Sequence, residues 1–347
     1  MIVAGAEASS GRAWRAPVVP TLLLLAFGLA GATVLAVGIG AVAIPPDRLV
    51  SVLTGSGDPR DAAILLSIRL PRVLGAALVG ASLAVAGALL QGILRNPLAD
   101  PYVLGTSAGA SVGAVIGFTL AGAFGFLVIP SLAFVGAIVA VFIVWNLART
   151  TAGTPVVTLL LAGVVLSAIA GSIVTLFLVL GDRLQLRLAT VIGWLMGGVS
   201  IASWAHLAIV ALFIAVGLVV ALTLAGRLDA LALGEEVAAA LGLDTERSIR
   251  AGLVASALLT AAAVSIAGLV AFVGLVAPHA VRLVLGPRHA RLLPAAALAG
   301  ALFVVVADLV ARVALAPAEL PVGVVSGLVG GPFFLALLWR QRAVYRL

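Results

Sequence analysis

The chain reads as a succession of apolar stretches, each ended by glycine, proline or charge. A hydrocarbon core about 30 Å thick takes roughly 20 apolar residues in a helix. By that measure spans are expected near 20–43, 73–94, 103–122, 126–147, 155–180, 203–225, 250–273, 278–286, 292–315 and 322–339, with 278–286 too short to cross alone. Stretches such as 206–226 and 251–277 are apolar on both faces. That excludes a membrane barrel, whose strands alternate apolar with polar. The expected fold is an all-α polytopic membrane protein of about ten transmembrane helices, one domain over 1–347 with halves at about 20–180 and 190–340.

Composition sharpens this picture. Hydrophobic residues make up 63% of the chain and charged ones 10%, with a mean hydropathy of +1.31. A soluble domain carries about 25% charged residues, so no soluble surface can be built from this chain. All 20 basic residues are Arg, against 13 acidic ones, giving a net charge of +7. In a membrane protein that excess points first to topology and not to nucleic acid. Without Lys there is no P-loop, because that motif places an ammonium on the nucleotide phosphates. With no Cys and three His, disulfides and Cys-based metal centres are excluded, and no metal site is expected.

Arg12 and Arg15 precede an apolar run longer than a secretory signal core, so a retained first helix with a cytoplasmic N-terminus is expected. Arg95, Arg149, Arg227, Arg247, Arg250, Arg288, Arg291, Arg340, Arg342 and Arg346 then fall on one side, as the positive-inside rule asks, and both termini are cytoplasmic. Arg48, Arg60, Arg69, Arg72, Arg183, Arg187 and Arg312 fall on the other. A guanidinium at a helix mouth can pair with carboxylates of a docking partner or with an anionic substrate, or simply anchor at the interface.

A shift of 181 residues lays Ala86, Gly87, Leu94, Pro97, Leu104 and Gly105 on Ala267, Gly268, Leu275, Pro278, Leu285 and Gly286. The halves therefore read as two pseudo-repeats of five spans. An odd number of spans per copy makes the second inverted, an organisation common in transporters.

Two polar interruptions are long enough to act on the cytoplasmic side: Arg95, Asn96, Pro97 to Asp100, and 227–250. In the second, Leu233, Val237, Ala240 and Leu241 recur at helical spacing, Glu235 and Glu236 come early, and Gly242 suits a C-cap. A short amphipathic helix is expected, either lying on the membrane surface or filling a partner's groove. Asp308 is the main intramembrane charge, and Arg312 four residues on can pair with it. His206 and His279 are expected as hydrogen-bonded packing residues. A secondary carrier would need more buried carboxylates, and an intramembrane enzyme a catalytic pair; neither pattern is present.

The run RLPRVLGAALVGASLAVAGALLQGILRNPLADPYVLGTSAGASVGAV, from Arg69 to Val115, resembles the signature of the FecCD family of bacterial importer permeases for iron-siderophore, haem and cobalamin. The blocks GLVAFVGLVAPHAVRLVLGPRHARLLP and ADLVARVALAPAELPVGVVSGLVGGPFFLALLWR resemble its C-terminal half. The resemblance implies a type II ABC importer permease in the bacterial inner membrane: a homodimer with two cytosolic ATPases, which hold the ATP, and a periplasmic substrate-binding protein. It implies a non-catalytic subunit with no permanently bound cofactor. Leu233, Gly234, Glu235, Glu236, Ala240, Leu241, Gly242 and Asp244 would be the ATPase-coupling segment, and Arg69, Arg72 and Arg312 would meet acidic residues of the binding protein. The pathway would run beside 156–180, 188–200 and 322–339, touching Arg183, Arg187, Trp194, Met196 and Gly197. The stretches GDRLQLRLATVIGWLMGG and APAELPVGVVSGLVGGPFF are most similar to haem permeases, which makes haem the expected ligand, ahead of ferric siderophore and cobalamin.

Overall fold

The computed structural model describes residues 16–40, 44–149, 155–181 and 188–342. The long helices are α1 (Val18–Gly38), α4 (Leu70–Ile93), α5 (Thr106–Phe124), α6 (Val128–Ala148), α7 (Val156–Leu180), α9 (Trp204–Thr223), α12 (Thr245–Ala267), α14 (His289–Val313) and α15 (Val322–Arg342). Shorter ones are α2 (Pro46–Leu53), α3 (Pro59–Ala62), α8 (Leu188–Leu195), α10 (Ala225–Leu231), α11 (Glu235–Ala240) and α13 (Val273–Leu285). Among the described residues 8 helical segments are long and apolar enough to cross a membrane, and α13 and the apolar part of α15 are shorter. The second span begins earlier than its hydropathy suggests: α3, a π-helical stretch Ala63–Arg69 and α4 run on without a break.

Helix α4 is the hub. It packs against α12, α13 and α14, and α4 and α12 are the most enclosed spans. Between apolar helices in lipid, close approach of small residues replaces the hydrophobic drive. Gly80 of α4 meets Gly300 of α14, and Gly87 meets Gly274 of α13, so closely that a Cβ on Gly80 or Gly87 would collide with the facing carbonyl oxygen. Gly109 of α5 faces Gly136 of α6 in the same way. By contrast α1, α7 and α9 turn most of their apolar side chains outward, as helices facing lipid do.

Two serines bind α4 to α12 reciprocally: Ser82 Oγ donates to the Leu259 carbonyl over 2.7 Å, and Ser256 Oγ to that of Ala86 over 3.2 Å. The helices therefore run antiparallel. The shift that lays Ser82 on Ser256 also lays Ile93 on Ala267, the last residues of the two helices. The 181-residue register puts Gly87, in mid-helix, on Gly268, which closes α12, but it lays Gly105 on Gly286, two glycines at φ +77° and +84° that close the segments before α5 and α14. In so alanine- and glycine-rich a chain, small residues coincide at many offsets.

Candidate coupling and docking surfaces

One end of the bundle carries the loop 94–100 and the helices α10 and α11. Glu235 and Glu236 occupy the first turn of α11, where carboxylates favour the positive end of the helix dipole. Gly234 enters it at φ +112° and Gly242 leaves at φ +81°, backbone angles that suit glycine. Ala238 is fully buried beneath the helix, while Leu233, Val237 and Leu241 are 64%, 47% and 68% exposed. The expected short helix is therefore present, and the larger apolar side chains on it and at its two ends, Val237, Leu233 and Leu241, face away from the protein. Asp244 caps α12 through the Arg247 N–H at 2.9 Å and pairs with the Arg247 guanidinium.

Two ties hold this segment to the bundle. Arg95, in the left-handed region at φ +49°, pairs with Glu235 at 3.0 Å. Asp229 of α10 accepts two bonds from His289, from its backbone N–H at 2.9 Å and from Nδ1 at 2.7 Å. In the neighbouring loop Asn96 Oδ1 accepts from Leu98 N, Pro97 is exposed, and Asp100 Oδ1 accepts from Tyr102 N at 2.8 Å. Burial raises the Asp100 carboxyl to about 6.

The opposite end holds a charge cluster. Asp308 has no exposed surface. Its Oδ1 accepts from Arg72 Nε and its Oδ2 from Arg312 Nε, each at 2.9 Å. Arg72 also pairs with Glu319 at 2.9 Å. Arg312 donates onward to the carbonyls of Ala36 and Ile39, and Arg69 to those of Val37 and Gly38. The last turn of a helix leaves carbonyls without intrahelical donors, and here two guanidiniums fill that role for α1. Asp308 and Arg312 thus form the pair that their spacing permits. Of the three arginines expected to meet a binding protein, Arg69 and Arg312 are buried, and the Arg72 side chain is 22% exposed.

Of the residues expected along a pathway, Arg183 and Arg187 lie outside the described residues. Trp194 lies in the last turn of α8, and Met196 and Gly197 begin a strap joining α8 to the bundle: Gly198 N donates to the Ala267 carbonyl and Val322 N to that of Gly197, each at 2.8 Å. Met196 is exposed, Trp194 half-buried and Gly197 buried at φ +82°. His206 receives a bond from Ala202 N at 3.4 Å, but the ring nitrogens of His279 have no hydrogen-bond partner, and that ring packs edge-on against Phe333. Among the described residues no three His, Asp or Glu converge as a metal site.

The model of the FecCD transport family matches residues 24–340. The chain belongs to the FecCD transport family. FecCD proteins of this kind are permeases of type II ABC importers, non-catalytic subunits whose ATP is hydrolysed by partner ATPases. Among its relatives, the cobalamin import system permease protein BtuC of Halobacterium salinarum is 42% identical over 94% of this chain and 91% of its own length. The hemin transport system permease protein HmuU of Yersinia pestis is 40% identical over 80% of this chain and 84% of its own. A solved chain from a transporter assigned to the metal-chelate ABC type, in an inward-facing conformation, is 30% identical. It superposes with a TM-score of 0.80 over 92% of this chain and 99% of that one.

Proposed function

We propose that this FecCD permease works as a homodimer in the bacterial inner membrane, carrying a metal-bound tetrapyrrole, haem or cobalamin, from a periplasmic binding protein to the cytosol. The observation that carries the coupling half of the reading is the outward apolar face of Leu233, Val237 and Leu241, flanked by Glu235 and Glu236. A groove on each of two ATPases would receive it. ATP binding would close the ATPase pair, draw the two coupling segments together and tilt the bundles, the contacts differing between the two states. The arginine-rich end is then cytoplasmic, both termini with it.

At the other end Arg72 keeps an exposed edge for acidic residues of the binding protein, while the buried Arg312 shares Asp308 with it and the buried Arg69 holds the end of α1. The outward apolar faces of α7 and α15 would line the dimer axis and let a large ligand pass without holding it. Relatives named for cobalamin and for hemin stand at similar identity, which supports a tetrapyrrole ahead of a ferric siderophore. Competition for uptake in proteoliposomes tests the ligand: excess cobalamin or haem should suppress labelled uptake of its own kind, and suppression by ferric siderophore alone would replace the tetrapyrrole assignment.

A further inference from the structure

Asp229, His289 and Gly92 bring three helices to one point. Asp229 lies in α10, anchored by the fully buried Leu228 and Leu231 on either side. One oxygen, Oδ1, takes both the His289 backbone N–H and Nδ1. The first bond satisfies an orphan donor at the start of α14. The second fixes the ring as the Nδ1–H tautomer. Its Nε2 is buried without a partner, which a lone pair tolerates better than an N–H would. A Cβ on Gly92 of α4 would stand 2.7 Å from that Nε2 and 3.3 Å from the Leu228 side chain. The imidazole is thus clasped between α10 and the backbone of α4.

The two helices that meet there also carry the far cluster. Helix α4 carries Arg72 near one end and Gly92 near the other, α14 likewise carries Asp308 and His289, and the two cross tightly at Gly80 and Gly300. By comparison the Arg95–Glu235 pair is about half exposed at both partners, and such pairs contribute little.

We propose that the Asp229–His289 joint is the positioning contact through which displacement of α11 is passed to α14 and, across Gly92, to α4. This rests on the importer reading above. The joint moves as one body, so that what docks on Leu233 and Leu241 shifts the charge cluster at the opposite end.

The test measures uptake per ATP hydrolysed by the reconstituted importer, alongside complex assembly and thermal stability. Wild-type uptake that needs ATP establishes the reading independently. In Asp229→Ala the ratio should fall about fivefold or more, while Asp229→Asn, which keeps an acceptor oxygen, should retain most of it. Because the chain has no Cys, a double variant with Asp229→Cys and His289→Cys can be cross-linked at this point alone by a short bifunctional reagent. It should be uncoupled when free and recover its ratio when linked. A wild-type ratio in assembled Asp229→Ala, or no recovery on cross-linking, overturns the proposal; should Asp229→Ala fail to assemble, the cross-linking result decides alone.

Discussion

Arg72 and Arg312 approach Asp308 from different helices and divide its two oxygens between them, each Nε at 2.9 Å. A buried carboxylate is matched here by two guanidiniums, and removing one side of a buried pair leaves the other uncompensated. Asp308→Ala should therefore lower stability by about 3–5 kcal/mol, read as an early unfolding midpoint in detergent. Asp308→Asn, which keeps one acceptor oxygen, should fall between it and wild type.

The crossing of α4 and α14 leaves no room for side chains at Gly80 and Gly300, where the obstacle is backbone. Gly300→Val should reduce folded yield or destabilise by at least about 1–3 kcal/mol. At Gly171 in α7 an added Cβ meets nothing within 4 Å, so Gly171→Ala should hold the unfolding midpoint or raise it, since Ala in a helix interior is favoured over Gly by about 0.5–1 kcal/mol. Equal behaviour of the two variants would show that the crossing is looser than described.

Leu233 and Leu241 offer large apolar surface at the end assigned to the ATPase. Central apolar anchors of an interface typically contribute about 2 kcal/mol or more each. Leu233→Asp together with Leu241→Asp should abolish co-purification of the ATPase without changing the permease's own melting temperature, since neither side chain supports the fold. Retained co-purification would move the docking site elsewhere.

Asp100 gives a pH dependence with a defined sign. Its folded value of about 6 lies above the ordinary carboxylate value of about 3.9, so the folded state binds this proton more tightly. Stability from this group is full below about pH 4, falls as pH rises toward 6 and stays lost above. Asp100→Asn keeps an acceptor for Tyr102 N and removes the charge. Its melting temperature should exceed that of wild type above pH 6, and the two should converge near pH 4; a constant difference across that range would contradict the assignment.

Much of the architecture was legible because a membrane span is written locally, in some twenty consecutive apolar residues. The short helix α11 was legible for the same reason: Leu233, Val237 and Leu241 recur at helical spacing, with Glu235 and Glu236 early and Gly242 just past its end. Four-residue spacing permitted the pairing of Asp308 with Arg312 without deciding it against a docking role for Arg312, and the second partner, Arg72, is 236 positions away, where no local pattern points to it. Asp229 and His289 are likewise joined only by the fold. The early start of the second span was hidden because its π-helical stretch follows Pro59, Arg60 and Asp61, residues that read as loop.

The measurement closest to the central claim is uptake of radiolabelled cobalamin and of haem into proteoliposomes holding this permease, its ATPase and its binding protein. Uptake of one of them that requires ATP and all three components, and disappears with Leu233→Asp plus Leu241→Asp, is the result this account predicts. Uptake by the permease alone, without nucleotide, would contradict it and make the chain a self-sufficient carrier.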